Sequence, residues 1–524
     1  MRVFRVLLIS CGIPICVAGQ TVRVTGSIEG QISGLPASAQ RLPLVIAAHS
    51  KSPSHSARAT ADKQGNYKIS ELPFDTYTVL AVEPDSARSV TKTITLTALT
   101  PDVRVDFPFA QSGSISGDVL DEDEKPFGHA QVELLTRDYV NGLVALTMKF
   151  QARADEAGHY ELKGVQPGRT YYLRARNLQG RELVSVWYPN SRSARGAAPI
   201  TIRSGEDRAN TKIHVRKEPA WCVNATLTEA GKAAPLTLMV QDSETGMVGS
   251  PVMMERADAD GKIRICGLAS GTYTLTAVRF GSEKTPPAVG RLAAVVRDED
   301  LTGVRIDATQ AAGVHGEFVW DGDPPAKEMA AHGTIFLRSP SGMNFVGQTQ
   351  GTAASLPGRF TLRNVVEGEY IANATISSDG GRLYVKDITW AGRSVLNGRL
   401  TVGSEASAPE LRVVIGQEGP TIAARVLDAR NEPVADSSVI IAPVSAATES
   451  DFAAVMTRGE TDQAGVWISP SLAPGRYKVA AAGFLVDQSA ETVGRAWRLI
   501  QGAEIYELGP KARVEVRLKP GEVE

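Results

Sequence analysis

Short runs in which apolar and polar residues alternate recur along the whole chain, as in YTLTAV at 273–278 and YKVAAA at 477–482. A period of two sends neighbouring side chains to opposite faces, so each run predicts a β-strand with one apolar face. Turn residues punctuate the runs. A Pro or Gly turn precedes both strands, and before it stands a hairpin opened by Asp-x-x-Gly. There glycine takes positive φ while the Asp side chain caps backbone N–H groups.

This hairpin is written five times: ADKQGNYKISELPFDTYTVLAV, ADEAGHYELKGVQPGRTYYLRA, ADADGKIRICGLASGTYTLTAV, SLPGRFTLRNVVEGEYIANA and TDQAGVWISPSLAPGRYKVAAAG. The structural turn glycines are Gly65, Gly158, Gly261, Gly358 and Gly465, spaced 93, 103, 97 and 107 residues apart. That period is domain-sized and far longer than a solenoid repeat. A tyrosine follows the glycine by twelve positions at Tyr77, Tyr273, Tyr370 and Tyr477, and by thirteen at Tyr171. The fourth copy has Ser355 in place of the aspartate but keeps Gly358, so the glycine is expected to matter more than the carboxylate. As one copy of five, the stretch from Thr461 to Gly483 is scaffold: Asp462 is a turn cap, and Trp467 and Tyr477 are core or hairpin positions.

Upstream of each hairpin two strands flank an acidic turn, clearest in SISGDVLDEDEKPFGHAQVELL and TIAARVLDARNEPVADSSVIIAPV. Each unit closes with a strand such as VRVDFPF, TKIHVRK, VRIDAT, LRVVIG or VEVRLKP. About six to eight short strands in roughly 100 residues is the size and rhythm of a β-sandwich. The expected architecture is all-β, with five tandem sandwiches at 21–109, 110–217, 218–309, 310–417 and 418–520. The junctions Phe109–Gly113, Lys217–Ala220 and Gln417–Pro420 are short, which predicts limited flexibility between neighbours.

The units resemble the carboxypeptidase regulatory-like domain, an Ig-like, transthyretin-like β-sandwich of the carbohydrate-binding-like fold. The matching residues are Asp428, Pro433, Val439, Asp462, Gly465, Pro474, Gly475 and Tyr477 in the fifth unit, and Asp121, Pro126, Ala130, Val132, Asp155, Gly158 and Pro167 in the second. The other three units depart from the pattern in the first turn. The resemblance spans nearly the whole mature chain and implies a tandem scaffold of exported bacterial proteins. It implies no active site, because the carboxypeptidase of the name is a neighbouring domain in other proteins.

Length agrees, since 524 residues exceed what one core supports. The 49 Gly, 29 Pro and 6% aromatic content suit many strands joined by turns. A net charge of −2 gives no basic field to collect nucleic acid or an anionic membrane. Arg2 and Arg5 precede the short apolar run VLLISCGIPICVAG, which predicts a cleaved signal peptide over 1–20 and an exported protein, periplasmic, outer-membrane-associated or extracellular. No later segment is long and apolar enough to span a membrane. Two cysteines then remain, Cys222 and Cys266, most simply one disulfide in an oxidising compartment.

Candidate chemistry is sparse. The seven histidines, His49, His55, His129, His159, His214, His315 and His332, form no H-E-x-x-H pair. His49 and His55 flank a Ser/Pro-rich stretch that reads as a loop, and no metal or other cofactor is expected. DEDEKP at 121–126 places Pro126 and Val132 where a calcium loop needs Gly and Glu, so it reads as a hairpin tip. No nucleophile elbow, phosphate loop or dinucleotide fingerprint is present, and no enzyme activity is expected. The most site-like feature lies in the second unit, where Arg169, Arg174, Arg176, Arg181, Arg192, Arg195, Arg203 and Arg208 accompany Tyr171, Tyr172, Trp187 and Tyr188. Arginine with aromatics suits an interface or a sugar-stacking surface, and Trp187, Tyr188, Arg192 and Arg195 are its candidate ligand-binding residues. The alternative is that Trp187 and Tyr188 pack beneath a loop. The expected role is a non-catalytic binding or spacer protein of the cell envelope that presents loops to a protein or polysaccharide. A carbohydrate-binding protein, or an accessory subunit of an envelope hydrolase or transporter, is the alternative.

Overall fold

The computed structural model describes residues 25–522 apart from 35–42, 50–55, 84–87, 141, 180–181, 217, 244–252, 282–284, 326–330, 340–349, 379–382 and 404–409. The expected signal peptide, His55 and Arg181 lie outside the described residues. Five separate hydrophobic cores follow one another along the chain, spanning Ile28–Phe109, Ile115–Val215, Val223–Ala308, Val314–Ile415 and Ile422–Val516. They define repeats 1 to 5, and the architecture is all-β, a tandem array of sandwiches.

Repeat 2 shows the common plan. Its opening strand, Gly113–Leu120, lies between the antiparallel strand that follows the turn glycine, His159–Val165, and two short parallel closing strands, Asp207–Arg208 and Ile213–His214. The facing sheet runs Leu143–Arg153, Gln131–Val140, Thr170–Gln179, Glu182–Trp187. The opening strand is likewise central, parallel to the closing strand and antiparallel to the glycine strand, in the other four repeats. In repeat 3 the closing strand Leu301–Gln310 also pairs with Ala288–Val296, fusing the two layers into one eight-stranded sheet.

One cross-strand device recurs on the opening strand. Gly30 stands opposite Tyr67, and Gly117 opposite Tyr160. With no side chain at the glycine, each ring reaches past it to the closing segment, where the Tyr67 hydroxyl donates to Val105 O at 2.6 Å and the Tyr160 hydroxyl to Thr211 O at 2.7 Å. A Cβ on Gly117 would lie 1.9 Å from that same Thr211 oxygen. Glycine is therefore required for the close approach of three strands.

Repeat 5 departs from the all-strand expectation by carrying two helices, α1 (Glu449–Val455) and α2 (Ala490–Gln501). Each begins at a side-chain cap: Thr448 accepts from Asp451 N, and Ser489 accepts from Thr492 N. Val493, Ala496 and Ile500 recur at helical spacing and are buried with Phe452 of α1 against Ile440, Ala442, Ala480 and Ala482. The helices thus cover a sheet face of repeat 5 that would otherwise be open to water.

Candidate binding surface

The polar residues that recur from copy to copy serve the backbone. Asp62 Oδ1 accepts from the N–H groups of Gln64 and Asn66, Asp155 from His159, Asp258 from Lys262, and Asp462 from Ala464 and Val466. The acidic turns work the same way. Asp121 accepts from Asp123 and Lys125, and Asp428 from Arg430 and Glu432, so DEDEKP closes a hairpin between the paired Leu120 and Pro126. The Asn66 side-chain amide and then these backbone bonds at Asp62, and the backbone bond from Glu432 foremost at Asp428, hold both carboxyls below the usual carboxylate range.

The recurring tyrosines are buried, and each hydroxyl donates to a carbonyl just upstream: Tyr77 to Pro73, Tyr273 to Ala269, Tyr370 to Val366 and Tyr477 to Ala473, at 2.7 to 2.9 Å. Tyr171, one residue later in register, reaches five residues back to Gln166 at 2.8 Å. Burial pushes the hydroxyls of Tyr77, Tyr171 and Tyr477 up to about 12. Gly65, Gly158, Gly261 and Gly465 have φ between 69° and 85°. Gly358, expected as a left-handed turn glycine, does not share that conformation: it opens its strand without a left-handed turn, and a Cβ there would lie 2.4 Å from Ser355 O. Close backbone approach, rather than φ, explains glycine in the fourth copy.

The arginine and aromatic residues of repeat 2 are divided between interior and surface. Trp187 is 2% exposed and packs with Leu135, Leu146, Ala194 and Ala197 beneath the segment that follows it. No face of its indole is open for stacking. Tyr188 is half-buried against the sandwich core, while Arg192 and Arg195 are exposed on the covering segment. Beneath them lies an ion network. Glu133, 1% exposed, accepts from Arg174 Nε at 2.9 Å and Nη2 at 2.5 Å, and its other oxygen lies 2.8 Å from Arg176 Nε. The Arg174 guanidinium sits 5.2 Å from the Trp187 ring centre, and Arg137 sits 4.4 Å from that of Tyr172. Burial lowers the Arg176 guanidinium pKa while Glu133 opposes the shift. Of the remaining arginines, Arg169 leaves this group to pair with Asp487 of repeat 5 at 2.6 Å.

That pair belongs to a set of contacts that sequence reasoning missed. Tyr139 joins the apolar cluster beneath the two helices; its N–H donates to Gln488 O at 2.7 Å and its hydroxyl to Glu449 at 2.7 Å. Thr170 Oγ1 donates to Glu491 at 2.8 Å, and Ser450 Oγ donates to Gly142 O. Repeat 1 also meets repeat 5, through Lys92 with Asp436 at 2.7 Å and Thr95 Oγ1 with Asp462 at 3.1 Å. Repeat 5 therefore folds back onto repeats 1 and 2, and the array is closed rather than extended.

Cys222 and Cys266 stand opposite each other on paired strands of repeat 3 and form a disulfide, with Cα atoms 3.9 Å apart. No group of three or more His, Cys, Asp or Glu able to hold a metal occurs among the described residues. His159 lies 3.2 Å from Asp118, and His214 lies 3.2 Å from Glu124, both near the surface. No described helix is long and apolar enough to cross a membrane.

No protein-family model and no curated protein sequence matches the chain. Among solved structures it is similar to a streptococcal ancillary pilin, at 12% identity and a TM-score of 0.20 over 54% of this chain and 98% of that one. It is also similar to a minor pilin of Streptococcus agalactiae (12%, 0.18, 41% and 100%) and to the major pilin subunit of Bacillus cereus (11%, 0.15, 78% and 99%). Scores this low carry no functional argument; the five separate cores between β-strands establish a tandem β-sandwich protein by themselves.

Proposed function

We propose that this chain is an exported, non-catalytic protein of the cell envelope in which five sandwiches of carboxypeptidase regulatory-like type present loops to a protein or polysaccharide partner. The observation that supports it is the division of labour among polar residues. Those that recur cap turns and bond core carbonyls within their own repeat, with Asp462 also meeting Thr95 of repeat 1, whereas residues present in single copies fasten one repeat to another or stand on loops. Burial of Trp187 removes the stacking platform that favoured a carbohydrate ligand there, and leaves Tyr188, Arg192 and Arg195 as the surface of repeat 2 on offer. The closed arrangement suits a display platform better than a linear spacer. Affinity capture from envelope extracts with the mature chain, beside an Arg192→Ala/Arg195→Ala variant, tests the reading. A partner retained by the parent and lost by the variant supports it; a hydrolytic activity copurifying with the pure chain overturns it.

A further inference from the structure

Repeats 2, 4 and 5 meet around a cleft of about 250 Å³. Two arginines line it from different repeats, Arg338 at the end of its strand in repeat 4 and Arg458 on an edge strand of repeat 5. Asn373 and Gln488 add amides, and Ile371 and Val493 supply apolar wall. No carboxylate lies within ion-pair distance of either guanidinium among the described residues, in contrast with Arg169, Arg279 and Arg399, which are all paired. Both cations are also positioned. Arg458 donates one Nη1 hydrogen bond to Val486 O, and the Arg338 guanidinium lies 5.9 Å from the Phe336 ring centre.

Two acids stand on the elements around the cleft. Glu449 accepts from the Tyr139 hydroxyl. Glu460, two residues from Arg458 on the same strand, is raised above the usual carboxylate range by burial and by Asp436, against the pull of Lys92 and Arg458. We infer that this three-repeat cleft is a binding site for a small anionic ligand, a single carboxylate or phosphate group carried on a compact, partly apolar body. Two guanidiniums lining one cleft match the charge of such a group, and the volume suits one acidic unit. The site goes beyond the partner surface of repeat 2 and needs repeats 4 and 5 to stay docked on repeat 2.

Isothermal titration of the full mature chain with glucuronate, inorganic phosphate and glucose tests this. Binding of glucuronate, phosphate or both, with glucose silent, is expected, and the two acids separate a carboxylate site from a phosphate site. R338Q and R458Q, both at exposed positions, are each expected to weaken binding by on the order of tenfold, since a hydrogen bond to a charged group is removed. The Arg192→Ala/Arg195→Ala variant is expected to bind these probes as the parent does, which keeps this site distinct from the repeat 2 surface. Silence with both acids, equal heat from glucose, or affinities unchanged in R338Q and R458Q overturns the inference.

Discussion

Glu133→Gln is the sharpest test of how repeat 2 is held together. The carboxylate is 1% exposed and faces two guanidiniums, so neutralising it leaves Arg174, itself 5% exposed, as a buried cation without its counter-ion. Breaking one side of a buried pair costs about 3–5 kcal/mol. Arg176 retains 22% of its side-chain exposure and gains some solvent, which favours the lower end, about 3 kcal/mol. At an m-value of about 1.5 kcal/mol/M the urea midpoint of repeat 2 moves down by about 2 M. Trp187 reports on this repeat because Arg174 lies against its ring. The assay is urea unfolding followed by tryptophan fluorescence, with a Trp187→Phe chain subtracted to isolate that signal. Glu122→Gln is the control in the same repeat, since its ion pair with Arg216 is exposed on both sides and is worth at most about 1 kcal/mol. If Glu133→Gln shifts the repeat 2 transition no further than Glu122→Gln does, the network is not what anchors the segment carrying Arg192 and Arg195.

Tyr477→Phe removes the hydroxyl bond to Ala473 O and is expected to destabilise repeat 5 by about 1 kcal/mol, read from its urea midpoint. A Cys222→Ala/Cys266→Ala chain opens a loop of 44 residues and is expected to lose up to about 4 kcal/mol in repeat 3, measured by thermal unfolding beside the reduced parent. At Asp487 burial raises the carboxyl pKa, but bonds from Ser489 and Thr492 with the Arg169 cation outweigh it, so the folded value is lowered. A lowered acid stabilises above its unfolded pKa and loses that contribution as pH falls through the folded value. Docking of repeat 5 on repeat 2 is therefore expected to hold at neutral pH and weaken below about pH 4; small-angle scattering across that range checks it, and a constant radius of gyration refutes it.

Much of the fold was legible because its period is carried by residues with one physical job each. The interval from glycine to tyrosine fixed the hairpin, and even the one-residue offset at Tyr171 has its counterpart in the longer reach to Gln166. Gly358 follows the pattern in letters but not in conformation, since close approach to Ser355 O and not a left-handed turn is what excludes a side chain there. The helices of repeat 5 had written signals, with Thr448 three residues before Asp451 and Ser489 opening the Val493, Ala496, Ile500 spacing, but they stand between strands that match the other copies. Burial of Trp187 was not legible, since it depends on Leu135 and Leu146 from distant strands and on Ala194 from the covering segment.

Closure of the array follows from the same distinction. A residue that recurs five times has five equivalent neighbours and cannot favour one inter-repeat contact over another, so the specificity of docking must come from residues that occur once. Tyr139, Arg169 and Thr170 have no counterparts that meet a helix, because only repeat 5 places α1 and α2 on its sheet face. Asp462 joins both classes: one oxygen caps its own turn as in the other copies, while the second accepts from Thr95 of repeat 1. A scaffold residue thus acquires an inter-repeat role with no change in its sequence motif, through the neighbour that the fold brings to it. The cleft of Arg338 and Arg458 follows the same logic, since neither arginine belongs to the repeating pattern and the two meet only where repeats 4 and 5 close around repeat 2.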